Sequence, residues 1–518
     1  MRLNKHIHLI RISTLRMLRL LMVAVILCCF THESLNAQWT KSVQFDDSDM
    51  AQDLAEALSF QKYPTYDQYL AMMQGFAADY PEICRLDTIG YSTGGRLLLA
   101  LKISDHVEED EAEAAFFYSS SMHGNEIAGY VLLLRVAHML LAGYGTDSEI
   151  NKLVDNLQIW INPLANPDGS FSRNNNMSLE LAARQNANNM DLNRNFPEAT
   201  RSEADDTTGR ELETRNMMVF HREKEFTLSA NIHGGTEVVN YPWDGKSALH
   251  VDDDWYRFVS HEYADEAMAV DPDYMFGWPD GGITNGWAWY EALGTRQDYV
   301  TSYRSGREVT LELSNAYLLP SSELERHWNI NERSLLNYMS QCLYGIRGKV
   351  TGQETGDPIR ARIFVENHDS AYSVVHSSAT HGDYYRLIKE GIYDLVFSAP
   401  GYFNDTILGV TVTDYQATLL NVQLEPFGLS VPVQEAPVFR IYPNPAVHTF
   451  MVEPENVPHG ELELSLHTLD GRMIYHKLHS YHGSGIELST KQMEPGIYLL
   501  RCTIGSLSEV QRLMVIKP

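Results

Sequence analysis

The feature that most restricts this chain's fold is a change of texture at Gly345. From about Tyr63 to Tyr344, short apolar runs alternate with long helical patterns. Ala114–Ser119, Leu157–Ile161 and Phe226–Ile232 read as buried strands, while Tyr66–Met73 and Ala128–Ala142 carry apolar residues at helical spacing. Strands alternating with helices predict one layered α/β domain over residues 62–344. Beyond Gly345 the helical pattern stops. Gly348–Val350, Ala361–Val365, Tyr393–Phe397 and Thr418–Val422 read as short strands broken by Gly, Pro, Asp and Asn, which predicts a small β-sandwich over 345–426. A Pro-containing linker over 427–438 leads to a second all-β unit over 439–518.

The first 37 residues read as a secretory signal peptide: a basic start, an uncharged apolar run from Leu20 to Phe30, and Ala37 as a small residue for cleavage. That run is too short to span a bilayer comfortably, and the mature chain has no other stretch of spanning length. Residues 38–61 are polar and acidic and read as a leader or linker. With 40 Lys+Arg against 68 Asp+Glu the net charge is −28, a surface that repels phosphate backbones and excludes nucleic acid as a partner. Cys28 and Cys29 fall in the signal segment; Cys84, Cys342 and Cys502 are too few for a disulfide framework.

Chemistry concentrates at strand ends. One apolar strand runs into Met122-His123-Gly124-Asn125-Glu126, and another into Ile232-His233-Gly234-Gly235. His123, Glu126 and His233 offer a two-histidine, one-carboxylate set that would leave a fourth zinc position open, as in hydrolytic sites, although the spacing alone equally admits core histidines. His and Glu three apart is a permissive pattern: His106 and Glu109 repeat it inside an acidic run that reads as a solvated loop. His476, His479 and His482 cannot converge on one ion from a strand, because residues three apart face opposite sides. Thr310-Leu311-Glu312-Leu313-Ser314 puts one carboxylate in an apolar strand; burial there raises its pKa toward the duty of a base, whereas the competing reading turns it outward.

With Asn166-Pro167-Asp168-Gly169 and Asp191-Leu192-Asn193-Arg194-Asn195-Phe196, these ordered motifs resemble the zinc metallocarboxypeptidases, most closely the carboxypeptidase N/E/M/D branch. The resemblance implies a mixed eight-stranded sheet between helices, with one zinc per chain at the sheet's C-terminal edge. It assigns His123, Glu126 and His233 to zinc and Glu312 to activating the zinc-held water as base. It further assigns Arg184, ten residues before Arg194, to polarising the scissile carbonyl. Asn193 and Arg194 fall to the substrate's C-terminal carboxylate, and Tyr290 to closing over it; beside Trp287 and Trp289, Tyr290 also admits reading as a core aromatic. In the basic-specific branch, Asp244, eleven after His233, and Gln297, seven after Tyr290, face a C-terminal Arg or Lys. Arg296 departs from the branch's apolar residue; turned inward it would neutralise Asp244, and the ordinary expectation is that it points to solvent.

Residues 345–426 resemble the transthyretin-like domain of that branch, through Gly391-Ile392-Tyr393 and Ser398-Ala399-Pro400-Gly401-Tyr402. Residues 439–518 resemble the C-terminal sorting domain of type IX secretion, through Tyr442-Pro443-Asn444-Pro445-Ala446, Leu469-Asp470-Gly471 and Gly496-Ile497-Tyr498. The reading is therefore a secreted or outer-surface zinc exopeptidase acting on peptides with a free C-terminus, with the type IX machinery as partner. Two alternatives compete: a zinc amidase acting on cell-wall peptides, and a non-catalytic surface binder. Asn193 and Arg194 favour a free carboxylate over the first, and the intact metal and base positions disfavour the second.

Overall fold

The computed structural model describes residues 44–172, 175–370, 372–427, 439–454, 460–505 and 507–517. The expected signal peptide and residues 428–438 of the expected linker lie outside the described residues.

Eight strands make one sheet: β1 (Cys84–Tyr91), β2 (Leu97–Ile103), β3 (Ala114–Ser120), β4 (Leu157–Asn162), β5 (Leu228–His233), β6 (Thr236–Tyr241), β7 (Ile283–Asn285) and β8 (Arg307–Ser314), in the order β1-β2-β4-β3-β5-β8-β6-β7. The inner strands β4, β3, β5 and β8 are parallel, and antiparallel pairings of β2 with β4 and of β6 with β8 flank them, so the sheet is mixed. Parallel strands covered on both faces read as unbroken apolar runs, which is why alternation is missing from β3. Phe116 and Tyr118 of β3 face one core, while Ala115 and Phe117 face the other.

Helices cover both faces. The larger core packs against α1 (Tyr66–Asp79), α2 (Ala128–Gly143), α4 (Asp253–Val270) and α6 (Leu324–Ser340). The smaller one packs against α3 (Leu212–Lys224) and α5 (Arg296–Tyr303). α1 starts where Thr65 and Gln68 cap each other reciprocally, and it buries Tyr66, Tyr69, Met73 and Phe76 along one stripe. The stretch read as a leader or linker over 38–61 is, from residue 44 on, part of this fold. Phe45, Met50, Ala57 and Phe60 are buried in the larger core, and Asp49 accepts hydrogen bonds from the backbone and hydroxyl of Ser321. Its aromatic and aliphatic residues bury one side, while Asp46, Asp47 and Asp53 stay exposed.

Beyond Gly345 the described structure is all β. One sandwich joins β9 (Gly345–Gly352), β12 (Asp383–Arg386), β15 (Ala417–Leu419) and β16 (Val422–Leu424) to a sheet of β10 (Arg362–Val365), β11 (Val375–His376), β13 (Gly391–Ser398) and β14 (Asp405–Val412), around its own core. The strand expected over Thr418–Val422 is two, because the Asn421 side chain takes the Lys349 N–H and interrupts the ladder. The last sandwich pairs β17 (Phe439–Tyr442), β18 (Thr449–Pro454) and β21 (Ile486–Ser489) against β19 (Gly460–Thr468), β20 (Met473–Tyr481), β22 (Gly496–Ile504) and β23 (Leu507–Val515). Cys84, Cys342 and Cys502 are buried free thiols.

Candidate active site

β3, β5 and β8 lie side by side and parallel, so their C-terminal ends open on one edge of the sheet. The chain leaving β3 turns at Ser121 and delivers His123 and Glu126 there. Gly124 presses on the next loop: a Cβ at this position would sit 2.2 Å from the carbonyl carbon of Gly169. That neighbouring loop is the Asn166-Pro167-Asp168-Gly169 motif. Asn166 donates to the Met122 carbonyl (3.1 Å), Ser170 to the Gly124 carbonyl (2.8 Å), and Asp168 is locked by Arg96 (2.6 Å). The motif thus scaffolds the His123 loop and does not enter the cavity.

His233 ends β5 directly beside Glu312 of β8 in the parallel ladder. Its Nδ1 lies 2.7 Å from a Glu126 oxygen and 3.0 Å from His123 Nδ1, which is itself 2.8 Å from the other Glu126 oxygen. All three side chains are buried. Behind them, His123 Nε2 meets Asp191 at 3.0 Å, and His233 Nε2 meets the Asn231 amide at 2.7 Å. With Nε2–H donating to Asp191, His123 Nδ1 is a lone pair. A half-turn of the Asn231 amide lets its otherwise unpartnered oxygen accept from His233 Nε2–H in the same way. Two nitrogen lone pairs and a carboxylate then converge on one point, an arrangement that repels itself unless a cation sits there. The donor set therefore fits zinc. Burial, partly offset by Glu126, pulls the His233 imidazole down to about 4, so it is neutral and ready to ligate. Burial opposes the charge of Glu126, and only protons on the facing imidazoles, whose place a bound cation would take, outweigh it and hold the carboxyl well below its usual range.

A cavity of about 210 Å³ opens over these residues. Glu312 forms its wall with 9% of its surface exposed, inward and not outward, and its Oε2 has no hydrogen-bond partner among the described residues. Burial, and next the Glu126 charge, push its carboxyl well above the ordinary value. Arg184 reaches in with Nη1 3.2 Å from Glu126 while its Nε donates to Asp191 at 3.0 Å. Asn193 and Arg194 line the same space from a short 3-10 turn begun by Asp191. Tyr290 is no core aromatic: it is 47% exposed at the mouth, 3.5 Å from Arg194 Nη2.

The cavity floor carries Asp244, buried, with Asn240 and Gln297 donating to its Oδ1 at 3.1 and 3.2 Å. Gln297 stands behind Asp244 and does not line the space. Arg296 is neither in solvent nor at Asp244. It is fully buried on the other face of the sheet, paired with Glu308 at 2.9 Å and lying over the Phe117 ring. A helix-start position beneath the sheet leaves a long side chain only the core to enter, and Glu308 supplies its counter-charge.

The profile of the zinc carboxypeptidases (peptidase M14) matches residues 69–334. The chain belongs to the zinc carboxypeptidase family. It is 35% identical over 352 residues to carboxypeptidase SOL1 of Arabidopsis thaliana, covering 66% of this chain and 69% of that one. It is 34% identical over 415 residues to the human carboxypeptidase N catalytic chain, covering 73% and 89%. Human carboxypeptidase D is 35% identical over 370 residues, but the match covers only 26% of that longer protein. A secretion-system C-terminal sorting domain matches residues 440–517. The chain is thus a metallocarboxypeptidase, a hydrolase, exported to the cell surface or beyond. Among the described residues no single helix is long and apolar enough to cross a membrane.

Sequence reading missed Asp191 and Asn231 behind the histidines, and Asp298 and Glu198 beside Asp244. Asp191 was in view as the first residue of a motif, but the signal for its role was the open Nε2 of a ligand histidine. The other histidine patterns do not converge as spaced in sequence: His106, in an exposed loop, meets Asp105 and Glu111 at 3.3 Å each, while His476 pairs with Glu463 and His479 with Tyr475.

Proposed function

We propose that this carboxypeptidase removes C-terminal Arg and Lys from peptides, using one zinc per chain held by His123 Nδ1, Glu126 and His233 Nδ1. Bound zinc supplies a Lewis acid that polarises the scissile carbonyl and lowers the pKa of water toward about 7. Glu312 accepts the proton of the attacking water and returns it to the leaving amine; its burial keeps it basic enough for that work. Arg184, fixed by Asp191, stabilises the developing oxyanion. Arg194, whose planar fork suits a carboxylate, takes the substrate's C-terminus together with Asn193, and Tyr290 covers it. Asp244, with Gln297 behind it, receives the cationic side chain. Apolar ends leave that buried carboxylate unpaired and are disfavoured.

One observation carries the reading: the metal set, the base, the carboxylate binders and Asp244 all border a single cavity. Asn193 and Arg194 support a free C-terminal carboxylate, and so peptides rather than cell-wall amides. The sorting domain supports the type IX machinery as the partner in export. A peptide panel differing only in the last residue, assayed with and without chelator, tests the proposal. Arg and Lys should be released about tenfold faster than Phe or Leu, and chelation should stop all release. Equal rates on Arg- and Phe-ended peptides would refute the preference, and chelator-resistant release would refute the metal.

A further inference from the structure

The cavity floor at Asp244 is backed by two further carboxylates that do not line the space, Asp298 and Glu198. Asp244, Asp298 and Glu198 are all buried. Asp298 accepts the backbone N–H groups of Asp244 and Gly245 at 3.0 and 2.9 Å, and Glu198 accepts that of Gly294 at 2.9 Å. Gly245 lies directly against this backing: a Cβ there would stand 3.2 Å from oxygens of both Asp298 and Glu198. The very next residue is Lys246. Its ammonium does not enter. It rests over the ring of Trp243, 3.6 Å from the centroid, and over that of Tyr372 at 4.6 Å. The two rings meet edge to face at 5.7 Å.

Tyr372 belongs to the sandwich that follows Gly345, not to the unit that carries the cavity. The contact is anchored on both sides. The Tyr372 carbonyl lies 3.4 Å from His250 Nε2. Asp252, six residues beyond Lys246 and fully buried, is shared between Arg307 of β8 (2.7 Å) and Arg386 of β12 (2.7 Å), with His368 at 2.7 Å. Arg307 also donates to the Ser373 carbonyl at 2.8 Å. The Tyr372 ring is therefore held against Trp243 by buried ion pairs across the two units.

We propose that Trp243 and Tyr372 form a cation clamp that keeps the Lys246 ammonium off the acidic cluster behind the floor, so that the sandwich that follows Gly345 preserves the pocket for a cationic substrate end. An ammonium over two aromatic faces is attracted to each ring's negative face. Released, its flexible four-carbon stem has Asp244 at the floor and Asp298 and Glu198 behind it within reach. Tyr372 is thus a positioning residue that acts on selectivity through Lys246. The proposal rests on the reading of Asp244 as the acceptor of Arg and Lys.

The test compares kcat/KM for two peptides that differ only in a C-terminal Arg or Phe, using the zinc-loaded full chain. Tyr372→Leu keeps bulk but removes the ring face. It should lower the Arg-over-Phe ratio about fivefold, mainly through KM for the Arg peptide, with zinc content unchanged. Tyr372→Phe should retain the ratio. Adding Lys246→Met to Tyr372→Leu should restore it, a rescue that loss of packing alone does not give. Should Tyr372→Leu not fold, Trp243→Leu with and without Lys246→Met carries the same expectation from the other ring. A ratio unchanged by losing the ring, or a loss that Lys246→Met fails to restore, overturns the clamp and leaves the Asp244 reading standing. A flat ratio in the unaltered enzyme removes both.

Discussion

Asp191 is the residue whose loss tests the proposed metal centre most directly without touching a ligand. Its two oxygens do separate work: Oδ1 meets His123 Nε2 at 3.0 Å and takes the Asn193 N–H at 3.0 Å, while Oδ2 takes Arg184 Nε at 3.0 Å. Burial works against its charge, but the His123 hydrogen bond and Arg184 outweigh that and hold its carboxyl well below the usual range, so it is ionised at any working pH. In Asp191→Ala, His123 loses the partner that fixes its tautomer and ring angle. Outer partners of this kind are worth about 10–100-fold in metal affinity, or about 1.4–2.8 kcal/mol. Arg184 and Asn193 lose their anchor in the same step, so activity at saturating zinc should fall by a further factor of about ten or more. Asp191→Asn keeps an acceptor for Nε2–H but no charge, and should fall between. Zinc affinity by competition with a chromophoric chelator reads the first effect, and kcat at saturating zinc the second. Unchanged zinc affinity in Asp191→Ala would refute the argument that His123 is held for the metal by this carboxylate.

Glu312→Gln should keep stoichiometric zinc but lose about 10²–10⁴-fold in kcat, because the ligands stay and the base goes; normal turnover would end that assignment. Glu312 works only when ionised, and burial followed by the Glu126 charge raises its pKa. kcat/KM should therefore fall as pH drops through a value above the ordinary ~4.3 of a glutamate, and a profile flat down to that value would contradict the role. Asp244→Ala should erase the Arg-over-Phe preference, about tenfold or about 1.4 kcal/mol, with zinc retained; a surviving preference would move specificity elsewhere. Cutting the chain after about residue 430 should leave an active enzyme in the periplasm, since the last sandwich has its own core; surface display of the shortened chain would refute sorting by that domain.

The fold was legible because its strands are buried on both faces and its helices are amphipathic, two patterns that sequence carries openly. β3 and β4 were read nearly to their ends. The strand order had no local signal, and the mixed pairing rests on the family resemblance. The three metal candidates and Glu312 were legible as polar residues at or in apolar strands, and the structure brings them into one cavity. What escaped was decided by tertiary partners. Arg296 was expected in water because most arginines are there. Its place beneath the sheet depends on Glu308, twelve positions away on another element. In residues 44–61 the average polarity hides five buried apolar side chains. Asp298, in the first turn of α5, and Glu198 carry no motif, and only their meeting with Asp244 makes them matter.

That meeting carries a physical cost, which helps to explain how the proposed pocket selects. Burial first, and the neighbouring Asp244 next, raise the Asp298 carboxyl well above the ordinary value; burial likewise raises Asp244. Two like charges so poorly solvated do not both ionise freely, and we predict that the free floor retains a proton. Backbone N–H groups offset part of the remaining charge, but they are fixed dipoles and cannot neutralise it. A guanidinium or ammonium entering the cavity can. It pairs with a carboxylate already desolvated and lets the retained proton leave. An apolar side chain does neither and forfeits the stabilisation. Selectivity on this reading is built less from contacts offered to the right residue than from an electrostatic deficit that the wrong one leaves in place. Proton release on binding a C-terminal Arg peptide, and its absence with a Phe peptide, follows directly. Calorimetry of the Glu312→Gln enzyme in buffers of different ionisation enthalpy measures it, and equal proton counts for the two peptides would show that the floor's charge is settled before substrate arrives.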